Sequence, residues 1–177
     1  MKVDIFTEGS STLQEEPESD SVKDYFGGGF LSVTSLADDL AEYADAEIHV
    51  LSEELGFVKG SDEVPEWAGE ELSMEDFVRE KDEFRKQMRE SAAGSDAIVL
   101  MFTKDSFRTL VASQWSQLVE AAQSETVWCI STSRTAFDTV ELDSLQEKKV
   151  ELVKYERVGV ARIGNETREE LLEMLNG

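Results

Sequence analysis

Four short stretches hold the residue types that could do chemistry: Thr7-Glu8-Gly9-Ser10-Ser11, Ser52-Glu53-Glu54, Thr103-Lys104-Asp105-Ser106 and Ser131-Thr132-Ser133-Arg134. Each contains at least one hydroxyl residue, and two of them carry a cation. Hydroxyls and the free amides of helix starts hold a phosphate or carboxylate, and a lysine or arginine adds full charge. Lys104 and Arg134 would supply that charge in a chain with 17 Lys and Arg against 39 Asp and Glu. The expected ligand-binding residues are therefore Ser10, Ser52, Thr103, Lys104 and Arg134, with a small anionic ligand as partner. Ser, Thr and Asp are also ordinary helix N-caps, and that purely structural role is equally open from the sequence.

Other chemistries find less support. His49 is the single histidine and Cys129 the single cysteine, both inside apolar runs, so no His/Cys metal site is expected. A Ser-His-acid triad would have to pass through His49, and no G-x-S-x-G elbow exists. Gly27-Gly28-Gly29 does not follow a strand directly and is not G-x-G-x-x-G, and the Walker A pattern is absent, so no cofactor is expected. The glycines read as a flexible joint. The carboxylates Glu53, Glu54, Asp62 and Glu63 could do acid–base work, but in so acidic a chain they also read as solvated surface. No catalytic residue is assigned.

The elements that would position these residues alternate between strand and helix. Asp96 to Phe102 is apolar on both side-chain faces, the pattern of a central parallel strand covered on both sides. Lys2 to Thr7, Glu47 to Ser52, Thr126 to Thr132 and Val150 to Tyr155 read as further strands, with a short sixth from Val158 to Ile163 at an edge. Helices are expected at about Val33 to Ala44, from the cap Ser73 to Ala93, from Ser106 to Ala122 and, weakly, from Leu142 to Lys148. A last one starts near Asn165 or Thr167, where Thr167 and Glu170 fit a capping box. Glu53 to Ser73 reads as irregular. This order predicts one α/β domain spanning 1–177, a three-layer α/β/α sandwich of Rossmann-like or flavodoxin-like type with a mostly parallel sheet of five or six strands. In such sheets ligands sit beyond the carboxyl ends of the strands, and the four chemical stretches are those ends. The polar run 12–24, with almost no apolar anchor, reads as a mobile acidic loop.

The net charge of −22 accompanies a 40% hydrophobic composition, so the excess acid belongs to a folded surface and not to disorder. An acidic surface over an ordinary core resembles the cytoplasmic proteins of salt-loving archaea; an acidic protein from an ordinary setting is the alternative. The field opposes binding to nucleic acid or anionic membrane. Met1 to Ile5 reads as the start of a strand rather than a leader, and the lone cysteine fits a cytosolic location. Oligomeric state is not legible. If the halophile reading holds, molar KCl, with a Debye length near ~3 Å, screens the self-repulsion, and the melting temperature rises clearly from dilute buffer to molar KCl. A midpoint independent of KCl would refute it.

Ile48-His49-Val50-Leu51-Ser52-Glu53-Glu54-Leu55-Gly56-Phe57-Val58, followed by Asp62, Val64 and Pro65, resembles a signature of the YaaA peroxide-stress superfamily and its small relatives of unknown function. In those proteins a strand ends in Leu-Ser, a glycine follows a short turn, and a Pro-aromatic-acid segment comes later. Here Leu55 stands where an aromatic or histidine is usual, Pro65-Glu66-Trp67 replaces Pro-Tyr-acid, and the first strand leads into Thr7-Glu8-Gly9. The resemblance implies a Rossmann-like domain, in some members linked to nucleic acid or nucleobase chemistry. Two function classes stay open. One is a site for a nucleotide, nucleobase or other small anion. The other is a non-enzymatic interaction or regulatory module using the acidic loop or an apolar patch of Phe57, Val64 and Trp67.

Overall fold

The computed structural model describes residues 1–157 and 162–177. Strand β1 (Lys2–Glu8) leads through a long loop to helix α1 (Phe30–Leu40), then to β2 (Asp45–Ser52) and β3 (Gly56–Lys59). Helix α2 (Met74–Gly94) follows, started by the Ser73 hydroxyl accepting from the Asp76 amide at 3.1 Å, and leads to β4 (Ala97–Met101). Next come α3 (Lys104–Leu110), α4 (Trp115–Ala121), β5 (Val127–Thr132), α5 (Arg134–Phe137), α6 (Asp143–Glu147), β6 (Glu151–Glu156) and α7 (Asn165–Asn176).

The six strands form one sheet in the order β3-β2-β1-β4-β5-β6. Every neighbouring pair is parallel except β2 with β3. With β3 set aside, the parallel strands run second, first, third, fourth, fifth, the flavodoxin-like form of the doubly wound sheet. Its order reverses between β1 and β4, which is where such sheets open a crevice. Alternation along the strands divides the core. Val3, Ile5, Val50, Val99 and Cys129 face α1 and α7, whereas Phe6, Ile98, Leu100, Trp128 and Ile130 face the layer of α2 to α6. All five residues of β4 are buried, as a strand covered on both faces requires. Burial pushes the Cys129 thiol up to about 12, with Glu170 adding to it, so it is an inert core group. Among the described residues, no helix is long and apolar enough to cross a membrane.

The structure departs from expectation in two places. Gly56–Lys59 forms an antiparallel edge strand inside the segment read as irregular. Gly56 starts it at a φ of 78°, a conformation other residues resist. The helix expected from Ser106 to Ala122 is broken at Val111, because the buried Gln114 side chain donates to the Leu110 carbonyl at 2.8 Å and so competes with the helix ladder. Helix α7 begins at Asn165, the earlier of the two expected starts, after Gly164 and without a side-chain cap, so the Thr167/Glu170 pair lies inside the helix and does not cap it. A Cβ on Gly164 would stand 2.8 Å from the Tyr155 ring, and that contact sets the entry. The sixth strand expected from Val158 to Ile163 falls largely outside the described residues.

The loop of 12–24 has more anchorage than its composition suggests. Val22 is fully buried, Leu13 bridges Phe26, and Ser21 bridges Glu63. The Val22 amide donates to Asp62 at 2.8 Å, and the Gly27 amide to Thr12 at 2.8 Å. Near-unprotected amide exchange is therefore expected only from about Glu15 to Ser19, with slowed exchange at Val22 and the slowest at Ile98 to Met101. Free exchange at Val22 would contradict this.

Candidate functional site

Over the carboxyl ends of β1 and β4 lies a cavity of about 530 Å³. Its walls are the β1 loop from Glu8 to Thr12, Gly28 and Gly29 before α1, Thr103, Arg157 and Arg162. Two residues of the Gly-rich segment thus form part of this wall. Gly28 has a φ of 59°, and a Cβ on it would meet the Ser10 hydroxyl and Thr12 at 3.4 Å. It stands just before α1, on the cavity wall. A second cavity of about 260 Å³ adjoins the first across Glu8, Gly9, Ser10 and Ser11, and extends to Ser52, Glu53 and Glu54.

Arg162 is almost completely buried. Its Nη1 donates to Thr7 Oγ1 and to the Glu8 carbonyl, each at 2.6 Å, its Nη2 reaches the Gly9 carbonyl at 3.4 Å, and its guanidinium lies over the Phe30 ring. The Ser131 hydroxyl bonds its carbonyl. Burial lowers the Arg162 guanidinium to about 10; the Glu8 charge opposes this and the Arg157 charge adds to it. It remains a cation at neutral pH. Arg157 is largely buried too. Its Nη1 stands 3.7 Å from Glu8 Oε1, beyond hydrogen-bond length, and has no hydrogen-bond partner among the described residues.

Glu8 occupies the position an incoming anion would take at α3. Its Oε1 accepts from the Thr103 amide at 2.8 Å, and its Oε2 accepts from the Thr103 and Ser106 hydroxyls at 3.2 and 2.5 Å. The start of α3 thus carries an internal carboxylate, which leaves Arg157, Arg162 and the β1 loop as the groups open to an external anion.

The five expected site residues separate into two groups. Ser10, Ser52 and Thr103 line the paired cavities. Lys104 and Arg134 are exposed first residues of α3 and α5 and line neither cavity. The arginines that do line one, Arg157 and Arg162, follow β6 and were not expected. Ser52 Oγ accepts the amides of Glu54 and Leu55, each at 3.1 Å, and Ser10 Oγ accepts that of Thr12 at 3.2 Å. Both hydroxyls therefore act as loop caps as well as cavity wall.

His49 lies away from this crevice, in a buried cluster. Its Nε2 donates to Asp4 Oδ1 at 2.8 Å, the Ser95 hydroxyl donates to Asp4 Oδ2, and Phe6 stacks on the imidazole with ring centres 4.6 Å apart. The carboxylate is the centre of this cluster, not the histidine, so no serine is activated for attack. Burial works to neutralise Asp4. Hydrogen bonds from His49 and Ser95, the His49 charge and Ser91 outweigh that and hold Asp4 at about 2, below the ordinary 3.8. Among the described residues no three His, Cys, Asp or Glu side chains converge as a metal site requires.

The chain has the strand order of a flavodoxin-like α/β protein. No family model and no curated relative matches it. Solved structures similar to it include a diflavin flavoprotein from Nostoc sp. (10% identity, 98% of this chain and 87% of that one, TM-score 0.45). A flavodoxin from Streptococcus pneumoniae TIGR4 matches at 9% identity over 99% and 96% of the two chains, TM-score 0.44. A flavodoxin-like domain from Synechococcus sp. matches at 8% identity over 97% and 92%, TM-score 0.40.

Proposed function

We propose that the protein binds a small phosphate- or carboxylate-bearing molecule of the nucleotide or nucleobase class in the crevice over β1, β2 and β4. The observation that carries the reading is the pair Arg157 and Arg162, held mostly out of solvent on one cavity wall of a chain with net charge −22. Two guanidiniums kept together at low exposure repel one another, and Glu8 offsets only one charge. An anion relieves that repulsion, and the hydroxyls and glycines of the opposite wall let it approach closely. The interaction-module reading has less support, because Val64 and Phe57 pack against the two core clusters and leave Trp67 as the exposed residue of the three.

Titration of the full chain with inorganic phosphate and nucleoside monophosphates in molar KCl tests the proposal. Arg157→Ala is expected to weaken binding by about 1.5–3 kcal/mol, the scale of hydrogen bonds to a charged group. Arg134→Ala serves as the control and leaves binding unchanged. Unchanged affinity in Arg157→Ala would sink the site.

A further inference from the structure

The crevice does not end at Glu53 and Glu54. A third cavity, of about 210 Å³, adjoins the second through Leu51, Phe77, Ser106 and Leu110. The three spaces run together from the arginines, over the β1 loop, to a groove between α2 and α3. Their chemistry changes along the way. The first stretch is cationic, the middle is bounded by Glu8, Glu53 and Glu54, and the far end has a floor of Leu51 and Leu110, which are 7% and 3% exposed, with Phe77 beside them and the opposite charges of Lys81 and Asp105 also lining it.

We infer that the ligand is an organic monophosphate or monocarboxylate with one anionic end, on Arg157 and Arg162, and an uncharged apolar or planar body lying along Leu51, Phe77 and Leu110. This inference rests on the anion-binding reading of the same crevice and adds the class of molecule. Two arguments carry it. First, a ligand long enough to leave the arginines must pass three carboxylates. Glu54 accepts from the Tyr25 hydroxyl at 2.6 Å, and Glu8 from the Thr103 amide and the Ser106 hydroxyl. A second negative group would lie against these acids, and at the far end Asp105 offsets the charge of Lys81, so diphosphates and dicarboxylates are disfavoured. Second, the far groove offers apolar surface next to the polar stretch, and covering it removes that surface from water. Between the two ends Ser10 and Ser52 accept backbone amides, which leaves each hydroxyl proton to donate to the atoms linking phosphate and body.

The test compares four probes on the full chain by calorimetric titration in KCl sufficient for maximal stability: inorganic phosphate, glycerol phosphate, phenyl phosphate and 4-carboxyphenyl phosphate. Phenyl phosphate is expected to bind about tenfold or more tighter than glycerol phosphate, the scale of burying one ring face. 4-Carboxyphenyl phosphate should lose most of that gain. Arg157→Ala should weaken all four. Phe77→Ala should erase the preference for phenyl phosphate and leave inorganic phosphate unchanged. Thr109→Trp, which fills the groove from an exposed position without removing a core contact, should do the same. If inorganic phosphate and the esters all fail to bind, the anion reading itself falls. If they bind with equal affinity, or if the preference survives both groove variants, the anion site stands and the apolar subsite is overturned.

Discussion

Asp4→Ala is expected to cost about 3–5 kcal/mol of stability, the scale of breaking a buried charged pair by removing one partner. Asp4 is 1% exposed and holds three elements together: β1 carries it, β2 supplies His49, and Ser95 arrives at the start of β4. Without the carboxylate, His49 Nε2 and the Ser95 hydroxyl lose their acceptor in a place water does not reach. His49 Nδ1 is already buried without a partner, so the ring has no second bond to fall back on. For a chain of this size the loss corresponds to a melting temperature lower by about 10 °C or more. A drop of under ~1 kcal/mol in urea unfolding would show that the cluster is dispensable.

The same group makes a pH prediction. Asp4 titrates at about 2 in the fold against an ordinary 3.8, so its contribution, on the order of 2 kcal/mol, is fully present above about pH 4 and is lost as pH falls through 2. Protonating the surface acids relieves the repulsion of a −22 chain over the same range, so the wild-type profile alone mixes two effects of opposite sign. The comparison that isolates Asp4 is with Asp4→Asn, which keeps the shape and removes the titration. Its stability should be lower near neutrality, should approach the wild type as pH falls from 4, and should converge on it only at about pH 2 and below. Parallel profiles between pH 4 and 2 would refute the assignment.

What the sequence made legible follows from how local each signal is. The run Ala97 to Met101 announced a strand buried on both faces because every residue in it is apolar, and no partner needs to be known to read that. The placement of ligand chemistry over strand ends came from topology alone, which is why Ser10, Ser52 and Thr103 fall on the cavities. Topology locates a residue on the rim but does not aim its side chain, and Lys104 and Arg134 sit on exposed first turns. Arg157 and Arg162 were missed for the complementary reason. They follow the last parallel strand, and their partners lie about 150 residues earlier at Thr7, Glu8 and Gly9. The available signal was weak: two arginines close together just after a strand, in a chain poor in cations. Strand β3 offers only Phe57 and Val58 as apolar residues, too few to show a period of two. The Asp4–His49 contact depends on the pairing of β1 with β2, which sets Phe6 opposite His49 and brings the imidazole beside the carboxylate two residues away. No local pattern contains that register.

Glu8→Gln is expected to tighten binding of inorganic phosphate about tenfold, ~1.4 kcal/mol, and this would be a gain where most substitutions in a site lose. Glu8 already plays the part of a bound anion: it takes the Thr103 amide and two hydroxyls at the start of α3 and lies 3.7 Å from Arg157. An external phosphate on Arg157 and Arg162 must therefore tolerate a negative charge on the same wall. Glutamine keeps the length of the side chain. Its amide oxygen still accepts from the Thr103 amide, and its amide nitrogen can donate to the Thr103 and Ser106 hydroxyl oxygens. The start of α3 then stays capped at a cost near ~1 kcal/mol, while the two arginines lose the charge that partly satisfied them. The gain should be largest in dilute salt and shrink in molar KCl, because it is an unscreened repulsion that has been removed. Phosphate affinity that stays the same would mean the anion binds beyond reach of Glu8. Affinity that falls would mean Glu8 serves to aim Arg157 rather than to oppose the ligand. Either result would remove Glu8 as the residue that limits anion binding in this crevice.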